Sequence, residues 1–270
     1  MLKPKSEPAL VETGASRIAL DSGCRTPKYN IRLLLEFDGS GFAGWQFQPG
    51  IRTVQGELQS ALAKILGRPV KINGCSRTDA GVSARNYVAN FYWDSAIPLN
   101  RICRALNFHL PREILVKEVA EAPPEFHARY SARSKTYLYR ILRDRSPLRM
   151  SRAWEYCFPL ESDRMRRALE LFAGRHDFCA FCHLRLADES ASAFCTVTRT
   201  SLVEHGDEIL VTVKGDRFLY KMVRRIVGAV VAYGAGRIRL ADIRAALAGR
   251  KHRPFQTAPA HGLILDSVEY

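Results

Sequence analysis

The spacing of apolar and polar positions predicts a repeating order of strands and helices. YNIRLLLEF (29–37) reads as a strand, and VQGELQSALAKIL (54–66) as an amphipathic helix that Thr53 can cap. PVKIN (69–73) reads as a short strand, and NYVANFYW (86–93) is rich in the β-branched and aromatic residues that strands favour. A helix over NRICRALNFHL (100–110) and a strand over ILVKEVA (114–120) follow. That order is βαββαβ, the split arrangement of ferredoxin-like domains.

The second half repeats it. SKTYLYRILR (134–143) is a strand and SDRMRRALELFA (162–173) a helix with one apolar face. CTVTRTSLVEH and EILVTVKG form a hairpin through Gly206 and Asp207. FLYKMVRRIVGAVVAYGAG (218–236) and ADIRAALAG (241–249) read as helices and HGLILDSVEY (261–270) as a last strand. The expected fold class is α+β, two ferredoxin-like halves with sheets side by side around a central basic cleft. The expected units are 29–128 and 129–270, after a poorly ordered leader over 1–28.

Composition narrows the partners. Of 270 residues 47% are hydrophobic, enough for a folded core, and 41 Lys and Arg against 27 Asp and Glu leave a formal charge of +14. Such a surplus points to a polyanion, because neutralising phosphates releases their counterions. The longest apolar run, IVGAVVAYGAG (226–236), is far short of the roughly 20 residues a membrane span needs. Residues 1–28 mix acids and bases without an apolar stretch, so a cytoplasmic protein with no membrane partner is expected. The odd count of seven cysteines speaks against a disulfide framework. CAFCH (179–183) has the spacing of haem attachment and half a zinc site, but it lacks a second close ligand pair and interleaves with Phe178 and Phe181. Small buried hydrophobes, and no metal, are the expectation there.

One stretch calls for chemistry. GCSRTDAGVSA (74–84) sets a lone acid, Asp79, among small residues on a tight loop between two strands, where a bulky ligand can approach the backbone. Basic clusters recur at RYSARSK (129–135), RDRSPLRMSR (143–152), KMVRR (221–225) and GRKHR (249–253). Tyr130, Tyr137, Tyr139 and Phe218 lie in or beside them, and aromatic faces among cations suit unstacked bases.

Several stretches together resemble the TruA family of tRNA pseudouridine synthases. DGSGFAGWQFQPG (38–50) and RTVQGEL (52–58) look like the family's early loop, and RTDAGVSA (77–84) is similar to its active-site motif RTDAGVHA. FHARYSARSKTYLYRI (126–141), GRHDFCAF (174–181), FLYKMVRRIVG (218–228) and TAPAHGLILDSV (257–268) match further family segments in order. Ser83 stands where the family usually carries His, and the leader has no counterpart.

The resemblance implies an isomerase that breaks the uridine N1 to C1′ bond, turns the uracil and joins C5 to C1′. It implies Asp79 as catalytic acid, Arg224 as its partner, Tyr137 stacked on the base, and a homodimer acting on positions 38, 39 and 40 of tRNA. Since the base never leaves, one carboxylate suffices where glycosidases use two. A guanidinium favours the charged carboxylate that a desolvating pocket disfavours. Arg77 is placed to fill the gap left by the extruded nucleotide or to hold its phosphate, and Arg129, Lys135, Tyr139 and Lys221 are further candidates for RNA contact. No metal and no nucleotide cofactor is required. An RRM-like binding module is disfavoured by the missing RNP sequence, and a DNA-binding protein by the lack of helix-turn-helix or zinc-finger patterns.

Overall fold

The computed structural model describes residues 28–96, 98–183 and 192–270; of the proposed leader, all but Lys28 lies outside the described residues. In chain order its elements are β1 (Tyr29–Phe37), α1 (Val54–Leu66), β2 (Ile72–Gly74), β3 (Ser83–Trp93), α2 (Leu99–His109), β4 (Ile114–Ala122), β5 (Ser134–Leu142), β6 (Trp154–Glu155), α3 (Ser162–Glu170), β7 (Gly174–Asp177), β8 (Phe194–His205), β9 (Glu208–Gly215), α4 (Met222–Gly234), α5 (Leu240–Leu247) and β10 (Leu263–Glu269).

Alternation explains the strands. β1 buries Ile31, Leu33, Leu35 and Phe37 on one face, two residues apart, as a half-covered strand must. Helix α1 starts where Thr53 accepts a hydrogen bond from Gly56 N and stops at Gly67 in the left-handed region. β1 lies antiparallel between β3 and β4, and β2 joins β3, giving the order β4-β1-β3-β2. The second half has β5 antiparallel between β9 and β10 with β8 outside β9, giving β10-β5-β9-β8. Counted within each half, both orders are 4-1-3-2.

The two sheets become one. β10 pairs parallel with β3 at Ile264 opposite Ser83 and Leu265 opposite Ala84, and β7 and β6 extend the second half to make ten strands. This junction lies beside the loop that carries Asp79, so the C-terminal strand of one half is fixed against the candidate site of the other.

Three of the boundaries that differ from the sequence reading bear on the site. β2 shortens to Ile72–Gly74, while β3 reaches back to Ser83 because β10 offers it a partner there. Helix α4 begins at Met222 rather than 218, since Lys221 takes φ 62°, outside the helical region. From Met222 onward the apolar face is buried, with Met222, Ile226, Val227 and Val230 fully covered.

Candidate active site

The Asp79 loop is shaped by the backbone before any side chain acts. Val82 N donates to Asp79 O at 3.1 Å, closing a turn whose third residue, Gly81, has φ 80°. A positive φ at that position suits glycine, because a Cβ there clashes with the chain. The preceding loop of the DGS stretch presses on it: Trp45 N donates to Thr78 O at 3.2 Å and Gly81 N to Phe42 O at 3.2 Å. A Cβ on Gly44, itself at φ 92°, would lie 2.5 Å from Thr78 O. Ser83, the residue that departs from the family pattern, accepts from Gly39 N at 3.0 Å and ties the same two loops together.

Below them, Trp45 stacks on Tyr87 with centroids 4.2 Å apart, and the Tyr87 hydroxyl donates to Ser76 O. Cys75 is fully buried, and burial pushes its thiol up to about 12, so it stays protonated and inert.

Asp79 meets Arg224 across the junction. Arg224 Nη1 donates to Asp79 Oδ2 at 2.6 Å, and both side chains are only 14% exposed. Arg224 lies in the first turn of α4 and is held from the other side: its Nε donates to Ala258 O at 2.8 Å, and Ala258 N donates to Arg224 O at 3.1 Å. The guanidinium is therefore aimed by the chain on both sides of it, and the short charge-assisted bond fixes the carboxylate. Asp79 Oδ1 accepts no hydrogen bond among the described residues, which leaves one oxygen for chemistry.

Tyr137 on β5 completes the cluster. Its hydroxyl shares a 3.1 Å hydrogen bond with Ser76 Oγ, three residues before Asp79, and its ring meets Phe218 edge-on at 5.1 Å. Burial, and to a lesser degree the nearby Asp79 charge, push the phenol well above its ordinary pKa, so it is neutral at physiological pH. Tyr137 is 6% exposed, so a base reaches its ring only as its cover moves aside.

The other named residues scatter. Arg77 is exposed beside the acid and makes no hydrogen bond or ion pair among the described residues. Lys135 is half-buried on β5, where desolvation lowers its pKa. Arg129 is exposed with its guanidinium 5.7 Å from the Tyr130 ring. Its loop hangs on a buried amide pair: Asn90 donates to Asn30 at 2.8 Å and accepts from Ala128 N at 3.0 Å. Lys221 holds its ammonium 5.0 Å from the Tyr220 ring.

Two expectations need correction. Tyr139 is 0% exposed and donates to Pro259 O at 2.7 Å, so it anchors the 259–262 segment and has no surface to offer RNA. In the basic cluster 143–152, three of four arginines are engaged within the chain: Arg143 with Glu204, Arg149 with Asp207 and Arg152 with Asp38. CAFCH divides: Phe178, Phe181 and Cys182 are buried but Cys179 is exposed.

Sequence reasoning missed Ser76, Ala258 and Gly44. Each lay inside a quoted motif, but their contacts join segments far apart in the chain.

Fold and site together set one paired carboxylate at the junction of the two halves. The profile of the family described as tRNA pseudouridine synthase matches residues 34–131 and 168–270. A relative from Geobacter sp. (strain M21), tRNA pseudouridine synthase A, is 42% identical over 89% of this chain and 98% of its own length. Its counterpart from Halalkalibacterium halodurans is 40% identical over 87% and 90%. The chain belongs to the tRNA pseudouridine synthase family, and it is an isomerase. A chain of the archaeal box H/ACA sRNP Nop10-Cbf5 complex overlaps with 14% identity and a TM-score of 0.34, covering 77% of this chain and 44% of that one, too little to add to the assignment.

Proposed function

We propose that this protein converts uridine to pseudouridine at positions 38, 39 and 40 of the anticodon stem-loop, with Asp79, Arg224 and Tyr137 as its catalytic residues. The 2.6 Å pairing of Asp79 with Arg224 is the observation that carries the reading. Addition of the carboxylate to C1′, addition to C6 and a glycal route all need one reachable carboxylate oxygen, and Oδ1 is that oxygen. Arg224 stabilises the charged form, while Tyr137 offers a flat face to uracil and a neutral hydroxyl for proton transfer at C5.

Arg77, Arg129, Lys135 and Lys221 hold the RNA in this account, with Arg77 filling the place of the extruded nucleotide. Contacts to phosphate position an RNA without reading its sequence, so target choice follows tRNA shape and ease of base extrusion. That predicts modification at several adjacent positions across tRNAs of different sequence. The active form is a cytoplasmic homodimer whose subunits share one tRNA. It needs no cofactor.

Mapping pseudouridine in tRNA from cells lacking this protein tests the reading. Loss at all three positions is expected, and normal modification with no paralogue present would contradict it. Sedimentation of the purified protein at micromolar concentration should show twice the 30.4 kDa chain mass.

A further inference from the structure

One turn beyond Arg224, α4 borders a cleft of about 320 Å³ whose walls include Tyr156, Gly228, Arg237, Arg253 and Gln256. It shares no residue with the Asp79 cluster, and its volume falls at the low end for small-ligand sites, roughly 300–1,000 Å³. Gly228 makes the cleft's floor possible, since a Cβ there would lie 1.7 Å from Gln256 O.

Its chemistry is cationic and aromatic. Arg237 and Arg253 are exposed, and neither meets a carboxylate among the described residues. Arg253 Nη1 instead approaches the Arg237 backbone carbonyl at 3.4 Å, so the two residues sit side by side on the cleft wall. Arg250 and Lys251 continue the charge along the chain. The Arg237 guanidinium lies 5.6 Å from the Tyr156 ring centre and 5.2 Å from that of Phe158. Tyr156 is 5% exposed, and its hydroxyl is buried with no hydrogen-bond partner among the described residues. An unpaired buried hydroxyl is costly, and a ligand that bonds it removes the cost.

We propose that this cleft binds one nucleotide outside the active site. Arg237 and Arg253 close on its phosphate, and the shift of Arg237 uncovers the Tyr156 ring and hydroxyl for the base, with the exposed Gln256 amide at the mouth. The same chemistry is offered by a nucleotide of bound tRNA and by a free nucleoside monophosphate. The proposal rests on the cleft alone and stands whether or not Asp79 is catalytic.

The test uses the full chain and two variants, Arg237→Ala/Arg253→Ala and Tyr156→Phe, with Arg101→Ala/Arg104→Ala on α2 as an equal loss of charge elsewhere. Calorimetric titration with UMP and with inorganic phosphate reads the free ligand. If that is the source, UMP binds the wild type more tightly than phosphate does, at least tenfold more weakly after the double substitution, and about fivefold more weakly in Tyr156→Phe. If tRNA is the source, UMP is silent and the slope of log affinity against log salt falls by about one in the Arg237/Arg253 variant, and not in the α2 variant. Without ligand, Tyr156→Phe should melt at or above the wild-type temperature, because the hydroxyl it removes bonds nothing among the described residues. Phosphate binding as tightly as UMP would overturn the nucleotide. So would silent UMP together with a salt slope that is unchanged or matched by the α2 control.

Discussion

Each half of the sheet carries an aspartate in the connection between its second and third strands, and each aspartate is paired with an arginine. In the C-terminal half the connection is the two-residue turn Gly206-Asp207, and Asp207 accepts from Arg149 Nη1 at 2.9 Å with a side chain 32% exposed. In the N-terminal half the connection runs from Cys75 to Val82, and Asp79 is 14% exposed against an arginine that is equally covered. The same topology therefore serves two ends. The short turn keeps its acid in water, where an ion pair is worth about 0–1 kcal/mol. The long loop folds its acid inward beneath the DGS loop, beside a buried tyrosine, where losing one partner of the pair costs far more than it does at the surface.

Apart from the acid itself, the comparison is broken most severely at Arg224. Replacing it with Ala should leave an uncompensated carboxylate and lower turnover by roughly a hundredfold or more, while Lys restores part by keeping charge without the planar fork. Single-turnover rates on labelled tRNA check this, and equal rates for Ala and Lys would show that charge is not what Arg224 supplies.

The buried phenols around the site sharpen it by pH. Tyr87, Tyr137 and Tyr139 are all raised by burial first. Their raised values mean that the folded state holds protons the unfolded chain has lost. Their stabilisation is complete below the unfolded value of about 10 and declines as pH rises through the folded values. With three such groups the limiting slope is about 4 kcal/mol per pH unit. On alkaline titration the last part of the phenolate absorbance should therefore appear together with the loss of circular dichroism, and complete phenolate absorbance in a protein that is still folded would contradict the burial.

A smaller effect is expected at Gly44. Ala forces a side chain onto φ 92° and against Thr78 O, at about 1–3 kcal/mol of stability. Activity should suffer beyond that loss, because the Asp79 loop must shift. A thermal melt paired with turnover below the melting point separates the two. The smallest effect concerns CAFCH: elemental analysis of protein purified without added metal should find no stoichiometric zinc, and bound zinc would overturn the reading of that segment.

Local pattern made all the strands but β6 and β7, together with α1 and the hairpin through Gly206 and Asp207, legible, because alternation, a capping threonine and turn residues act over a few positions; β6 and β7, of two and four residues, are too short to show a period. The start of α4 was not legible. FLYK continues the apolar pattern without a break, and only the left-handed backbone of Lys221 ends the preceding turn. Asp79 stood out as a lone acid in a loop of small residues, but nothing local ties it to Arg224, 145 positions away. The resemblance supplied that pairing. Ser76 and Ala258 went unseen for the same reason, since each acts through a partner brought near by β5 or α4. The arginines of 143–152 read as free charge because their carboxylates lie in β8, the β8–β9 turn and the DGS loop.

The two aspartates permit the most direct measurement. Tritium release from C5-labelled uridine in tRNA should fall by roughly a thousandfold or more in Asp79→Asn, with tRNA affinity kept within a few-fold, because the amide preserves shape but is neither base nor nucleophile. Asp207→Asn should release tritium at the wild-type rate. Turnover by Asp79→Asn within tenfold of wild type, or an equal loss in both variants, would contradict the assignment of the chemistry to Asp79.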